Sequence, residues 1–331
     1  MRKISWVRLL GIVCAAAVIS LLTLPQAARA QWRAEVGAQS KNLGHQALAF
    51  LPNELWIHAG ESITWTSNVD EIHTVSFLRD GQTRLPFPVG CPGFVGGPSA
   101  SFDGSTCVTT PPIVAGQSFT VTFPTAGNFK LVCLVHENMT GTVHVLDLAV
   151  PLPYSQAFYD EQGADQGKAL LTDNDKIRHE QEDSDHARSG RHHVTTGLGE
   201  IVANGGGSQT LSIMRFMEAT KVIHVGETVE WTSFDPITPH TVTFGTEPAN
   251  PIPPVNATLD ADGSLHAVIN SLSDSVHSGF LGASLQDQLF HPQTPLAVNR
   301  FRVTFTRAGT YPYICALHDN LGMKGKVVVL P

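Results

Sequence analysis

Residues 119–145 read FTVTFPTAGNFKLVCLVHENMTGTVHV, and residues 301–329 read FRVTFTRAGTYPYICALHDNLGMKGKVVV. The two stretches are one pattern written twice. Each opens on Phe-x-Val-Thr-Phe, passes an Ala-Gly pair (Ala126-Gly127, Ala308-Gly309), and reaches a cysteine, Cys133 or Cys315. Each then gives a His, a Met and a closing Met-x-Gly-x-Val, at Met139 to Val143 and Met323 to Val327. Working outward toward the N-terminus, Phe50, Ile57, His58, Gly60, Glu61, Trp65, Thr66 and Ser67 recur as Phe216, Ile223, His224, Gly226, Glu227, Trp231, Thr232 and Ser233. His73-Thr74-Val75 recurs as His240-Thr241-Val242. A repeat of this kind reports a duplicated structural unit without reference to any other protein. The spacing widens before Cys315, so the second half carries a longer middle segment, 245–296. That insertion contains Asp260, Asp262, His266, His277 and His291, and the repeat does not account for it.

Apolar residues alternate around Ile63 and Trp65, around Val229 and Trp231, and through both Phe-x-Val-Thr-Phe runs. A period of two is that of a half-buried strand. Gly60, Gly127, Gly226 and Gly309 punctuate the strands as turns. Many short strands without a long helical period predict an all-β chain with one β-sandwich in each half. The expected organisation is a leader at 1–30, domain 1 at 31–150, a charged, His-rich linker at 151–193 with room for a short helix, and domain 2 at 194–331.

The first thirty residues have the form of a Sec-type signal peptide. Arg2, Lys3 and Arg8 precede an apolar run from Leu9 to Leu24 and a small-residue cleavage site, Ala28-Arg29-Ala30. The expected location is therefore periplasmic or secreted, with no membrane span once the leader is removed. Cleavage removes four of the 21 basic residues and none of the 29 acidic ones, moving the net charge from −8 to −12. An acidic surface argues against nucleic acid as a partner.

Four residues in each half combine into a ligand set: His73, Cys133, His136 and Met139, and His240, Cys315, His318 and Met323. Two imidazoles, a thiolate and a weak axial thioether suit copper, whereas zinc seldom takes a thioether. Cys, His and Met in one turn, with the fourth ligand from a distant strand end, leave the sandwich to hold the geometry. The four mature cysteines have two readings. Two disulfides, Cys91 with Cys107 and Cys133 with Cys315, would suit an exported protein. A single disulfide, Cys91 with Cys107 around a Gly- and Ser-rich loop, frees Cys133 and Cys315 as ligands and explains the paired His and Met positions.

With these residues in place the chain resembles the cupredoxin (plastocyanin and azurin) family twice over. Cys133-x2-His136-x2-Met139 is similar to the short ligand loop of amicyanin and pseudoazurin, and Cys315-x2-His318-x4-Met323 to that of plastocyanin. The resemblance implies two tandem Greek-key β-sandwich domains, two type 1 (blue) copper ions, and exchange of single electrons with protein donors and acceptors. It further implies exposed ligand histidines facing the partner, which by position are His136 and His318. One departure is recorded: many members carry Asn after the first ligand His, and here Thr74 and Thr241 stand there.

Other functions compete. Two-domain cupredoxins include copper nitrite reductases and small laccases, which need a further catalytic copper. Their His-x-His pairs and the His beside the blue-copper Cys are missing: Val132 and Leu134 flank Cys133, Ile314 and Ala316 flank Cys315, and no His-x-His occurs in the chain. A copper storage or delivery protein is the third class; two full ligand sets on rigid sandwiches argue for a carrier of electrons instead. His58 and His224 precede turn glycines and are assigned no metal. His179, His186, His192 and His193 in the linker could collect Cu(II), although a solvated linker is the commoner meaning of that composition.

Overall fold

The computed structural model describes residues 30–92, 97–187, 192–282 and 298–331. The leader, apart from Ala30, and His291 lie outside the described residues. The first half contributes β1 (Gln31–Gln39), β2 (His45–Leu51), β3 (Glu54–His58), β4 (Ser62–Ser67), β5 (Ser76–Phe77), β6 (Ser99–Ser101), β7 (Val108–Thr109), β8 (Ser118–Thr122), β9 (Gly127–Val132) and β10 (Thr140–Leu146). Helix α1 (Gln156–Ala187) follows. The second half contributes β11 (His192–Asn204), β12 (Gly207–Met217), β13 (Thr220–His224), β14 (Thr228–Phe234), β15 (Thr243–Phe244), β16 (Thr258–Leu259), β17 (Leu265–Ile269), β18 (Val276–His277), β19 (Arg300–Phe305), β20 (Gly309–Ile314) and β21 (Lys324–Leu330).

The alternation read from the sequence is the alternation of burial. In β4 the residues facing the core are Ile63 and Trp65, in β8 Phe119 and Val121, and in β19 Phe301, Val303 and Phe305; the residues between them are partly exposed. Each half is a sandwich. One layer is its own five-stranded sheet, in order β3-β10-β9-β5-β7 or β13-β21-β20-β15-β18. The other layer is half of a single 11-stranded sheet, β16-β17-β19-β14-β11-β12-β2-β1-β4-β8-β6. Trp65, Phe77, Phe102 and Phe123 close the first core through tilted and edge-to-face ring contacts, and Trp231, Phe244, Phe305 and Tyr313 the second.

The join between the halves is the antiparallel pair β2 and β12, with His45 opposite Ile213, Gln46 opposite Ser212 and Ala47 opposite Leu211. Gln46 and Ser212 are themselves repeat equivalents, so the pairing has a local two-fold axis through them, as in a dimer interface formed by one surface patch on each partner. Every residue of β2 is buried. Leu48 and Phe50 point into the sandwich core, while Ala47, Ala49 and Leu51 pack with Leu170 of α1 on the opposite face.

The charged segment expected as a linker thus contains a 32-residue helix, about 48 Å long at 1.5 Å per residue. Its apolar stripe is narrow, which is why its periodicity is weak in the sequence. Gly163 and Gly167 replace bulk with close approach: a Cβ on Gly163 would lie 2.9 Å from the Leu51 carbonyl carbon. Polar anchors complete the seat. Tyr159 Oη accepts from Trp56 N (2.8 Å) and donates to Trp56 O (3.1 Å), and Asn174 Nδ2 donates to Gln46 O (3.1 Å).

The 245–296 insertion supplies β16 to β18, and β17 runs parallel to β19 just as β6 runs parallel to β8. Asp262, and Asp260 more distantly, pair with Arg302, so these acids hold the sheet edge. Cys91 and Cys107 form a disulfide, whereas Cys133 and Cys315 are free thiols. Among the described residues no helix is long and apolar enough to cross a membrane.

Candidate metal centres

In each half the loop between two neighbouring strands carries three of the sequence-predicted residues. Cys133 follows β9 directly and Met139 precedes β10; Cys315 follows β20 and Met323 precedes β21. The loop is closed by its own backbone, with Cys133 N donating to Met139 O (2.9 Å) and Cys315 N to Met323 O (3.0 Å). The fourth residue arrives from across the sandwich. His73 is pinned by a backbone bridge to Ile113, and His240 by one to Leu281.

The structure brings His73, Cys133 and His136 together, and likewise His240, Cys315 and His318, each set with its donor atoms within 4.8 Å of one another and all three residues buried. His73 Nδ1 stands 3.1 Å from His136 Nδ1, which is 3.8 Å from Cys133 Sγ. In the second centre the corresponding distances are 3.2 Å and 3.5 Å. Met139 and Met323 are fully buried in the surrounding core. Two imidazole nitrogens and a sulfur gathered at one buried spot fit a soft metal ion.

Burial pushes the Cys133 thiol up, but hydrogen bonds and charge from His136 and His73 outweigh it and hold the thiol well below its ordinary value. Cys315 is held down in the same way by His318 and His240. Backbone amides add to this: Thr74 N and His136 N point at Cys133 Sγ (3.4 and 3.3 Å), and Thr241 N at Cys315 Sγ (3.3 Å). The thiolate is the metal-binding form. The threonines that depart from the family pattern carry out the linking themselves. Thr74 Oγ1 accepts from Leu134 N (2.7 Å) and lies 3.9 Å from Cys133 Sγ; Thr241 Oγ1 does the same with Ala316 N (2.7 Å) and Cys315 Sγ (3.9 Å).

One implication of the resemblance is corrected. His136 and His318 are not exposed: they retain 3% and 4% of their surface. The β2–β12 join sets the ligand-bearing ends of the halves against each other, so both loops line one groove of about 340 Å³ instead of facing solvent separately. At its floor lies Glu71, a residue the sequence reading passed over. Glu71 Oε1 is 3.4 Å from His136 Nε2, and Oε2 is 3.9 Å from His318 Nε2. Burial raises the Glu71 carboxyl, and the hydrogen bond with His136 and the charge of the nearby histidines bring it down to about 2.

Asp235 was missed as well. It is fully buried, with Oδ2 3.5 Å from His240 Nε2, Oδ1 accepting from Ile237 N (3.0 Å) and Thr238 N (2.8 Å), and Ser212 Oγ donating to Oδ2. The position 166 residues earlier is Val69; Nε2 of both His73 and His240 lacks a hydrogen-bond partner among the described residues, and only His240 has a carboxylate within ion-pair distance. The signal for both acids was faint: they sit where the repeat breaks, in segments 68–72 and 234–239, which differ in length by one residue. Of the linker histidines, His179 neighbours Glu182 (3.6 Å) and His192 neighbours Glu227 (3.2 Å); His186's side chain lies outside the described residues.

The chain belongs to the plastocyanin/azurin family of copper binding proteins, whose model matches residues 38–146 and 200–330. Among solved structures it is similar to a reduced Cu(I) amicyanin mutant at pH 4, at 20% identity over 37% of this chain and 87% of that chain, with a TM-score of 0.25. It is also similar to oxidised plastocyanin from Dryopteris crassirhizoma, at 20% identity over 42% of this chain and 99% of that chain, with a TM-score of 0.22. No curated protein matches.

Proposed function

We propose that this protein is an exported electron carrier holding two type 1 copper ions, one in each domain, and exchanging single electrons with protein partners. The observation that carries the reading is the pair of buried His-Cys-His clusters, each held from two sides of a sandwich. His73, Cys133, His136 and Met139 would hold one ion, and His240, Cys315, His318 and Met323 the other. Copper supplies a one-electron couple between Cu(I) and Cu(II). The protein's part is to supply soft sulfur, exclude water and keep the ligands where they are, because a site that does not rearrange changes redox state cheaply. The N-terminal basic, apolar and small-residue segments support export.

The test is copper stoichiometry with visible and electron paramagnetic resonance (EPR) spectra of the purified protein, beside Cys133→Ser and Cys315→Ser. The expected result is two coppers per chain and two strong thiolate bands, each lost with its own cysteine. A third copper with an ordinary, non-blue signal would overturn the carrier reading in favour of an oxidase or reductase.

A further inference from the structure

The groove between the domains holds one carboxylate and the outer nitrogens of two ligand histidines. His136 and His318 turn Nδ1 toward their own clusters, at 3.1 and 3.2 Å from Nδ1 of His73 and His240, which leaves Nε2 of each facing outward from its cluster. Both outward nitrogens meet Glu71, at 3.4 and 3.9 Å, one on each carboxylate oxygen. Glu71 is itself buried, at 6% exposure. Counting back from the ligand histidine, its place in the second half is taken by Thr238, so the near two-fold arrangement sets a single negative charge between the centres rather than two that would repel.

We propose that Glu71 makes the two centres one internal relay, its carboxylate bridging His136 and His318 so that an electron taken up at one ligand set reaches the other within the chain. The proposal rests on the two-copper reading above. With copper bound, one electron would pass from the set holding Cu(I) to the set holding Cu(II), so that one ion is oxidised as the other is reduced. No covalent bond forms or breaks, and no proton needs to move from either imidazole. The path is short and covalent but for two contacts: imidazole ring, carboxylate, imidazole ring. It also explains why the histidine edges are closed to solvent here: the domain opposite occupies the place of an external partner.

The protein loaded with Cu(II) is reduced with less than one equivalent of laser-generated flavin semiquinone and followed by freeze-quench EPR, with Cys133→Ser and Cys315→Ser giving the spectra of the single centres. Redistribution between centres should be first order and independent of protein concentration. Glu71→Leu should slow it at least tenfold and Glu71→Gln, which keeps the size and one acceptor oxygen, by less, with rates compared after the two potentials have been measured in each variant. As a static check, the His136 Nε2 proton in the diamagnetic Cu(I) form should give a hydrogen-bonded NMR resonance that moves upfield in Glu71→Leu. An unchanged rate in both variants, or a rate that rises with protein concentration, would overturn the relay. If the unmutated protein lacks the thiolate bands, the copper reading itself has failed.

Discussion

Asp235→Asn isolates what one buried carboxylate does to one of two nearly identical centres. The substitution keeps the shape, and Oδ1 still accepts from Ile237 N and Thr238 N. What changes is the atom facing His240: an amide donor replaces the acceptor now 3.5 Å from Nε2. A carboxylate behind a ligand imidazole raises its basicity and favours Cu(II), and replacing such a group typically costs about 10- to 100-fold in metal affinity. If that loss falls on the oxidised state, at about 59 mV per tenfold for a one-electron couple, the second centre's potential rises by roughly 60–120 mV. Two donors face each other in a buried place, so stability falls by about 1–3 kcal/mol as well. Spectroelectrochemical titration in the Cys133→Ser background reads the second centre alone, and Cys315→Ser gives the first as an internal reference. A fall in potential, or an equal rise in both centres, would refute the reasoning.

Two further outcomes follow from the geometry. Gly197 has φ +72°, and a Cβ there would lie 2.0 Å from His240 Nε2, so Gly197→Ala should weaken copper binding at the second centre by about tenfold or more while leaving the first intact, as judged by copper titration of each thiolate band. At the domain join, burial holds His45 below its ordinary value of 6.5; Asp175, 3.2 Å away, raises it, and Arg178 and Arg215 lower it. The unfolded chain therefore takes up the proton first, so the stability contributed by neutral His45 is present above pH 6.5 and is lost as pH falls through that value. Thermal unfolding of the copper-free protein between pH 8 and pH 5 should show this decline, and His45→Asn should flatten it.

Much of this molecule was legible in the order of its residues. Strand alternation is local, and every Phe, Trp and Val that alternates in the sequence faces a core. The repeat shows two sandwiches, and donor chemistry names copper, because His, Cys, His and Met recur at fixed places around the same strands. Helix α1 was legible only as room for a short helix, for the opposite reason. Its seat depends on Gly163, Gly167 and a few polar anchors, and these mean something only against the face of β2 that they cover.

The relation between the two centres belonged to the tertiary structure. Nothing in either half's sequence says that β2 and β12 pair, because that contact is a match between two copies of one edge, not a pattern within either. Once they pair, His136 and His318 are turned from solvent toward each other, and Glu71, an unremarked acid in a short loop, becomes the group between them. Which donor residues gather follows from residue chemistry and spacing, which the chain carries locally. Which ligands face water and which face another centre follows from how surfaces far apart in sequence meet, and only the folded molecule decides that.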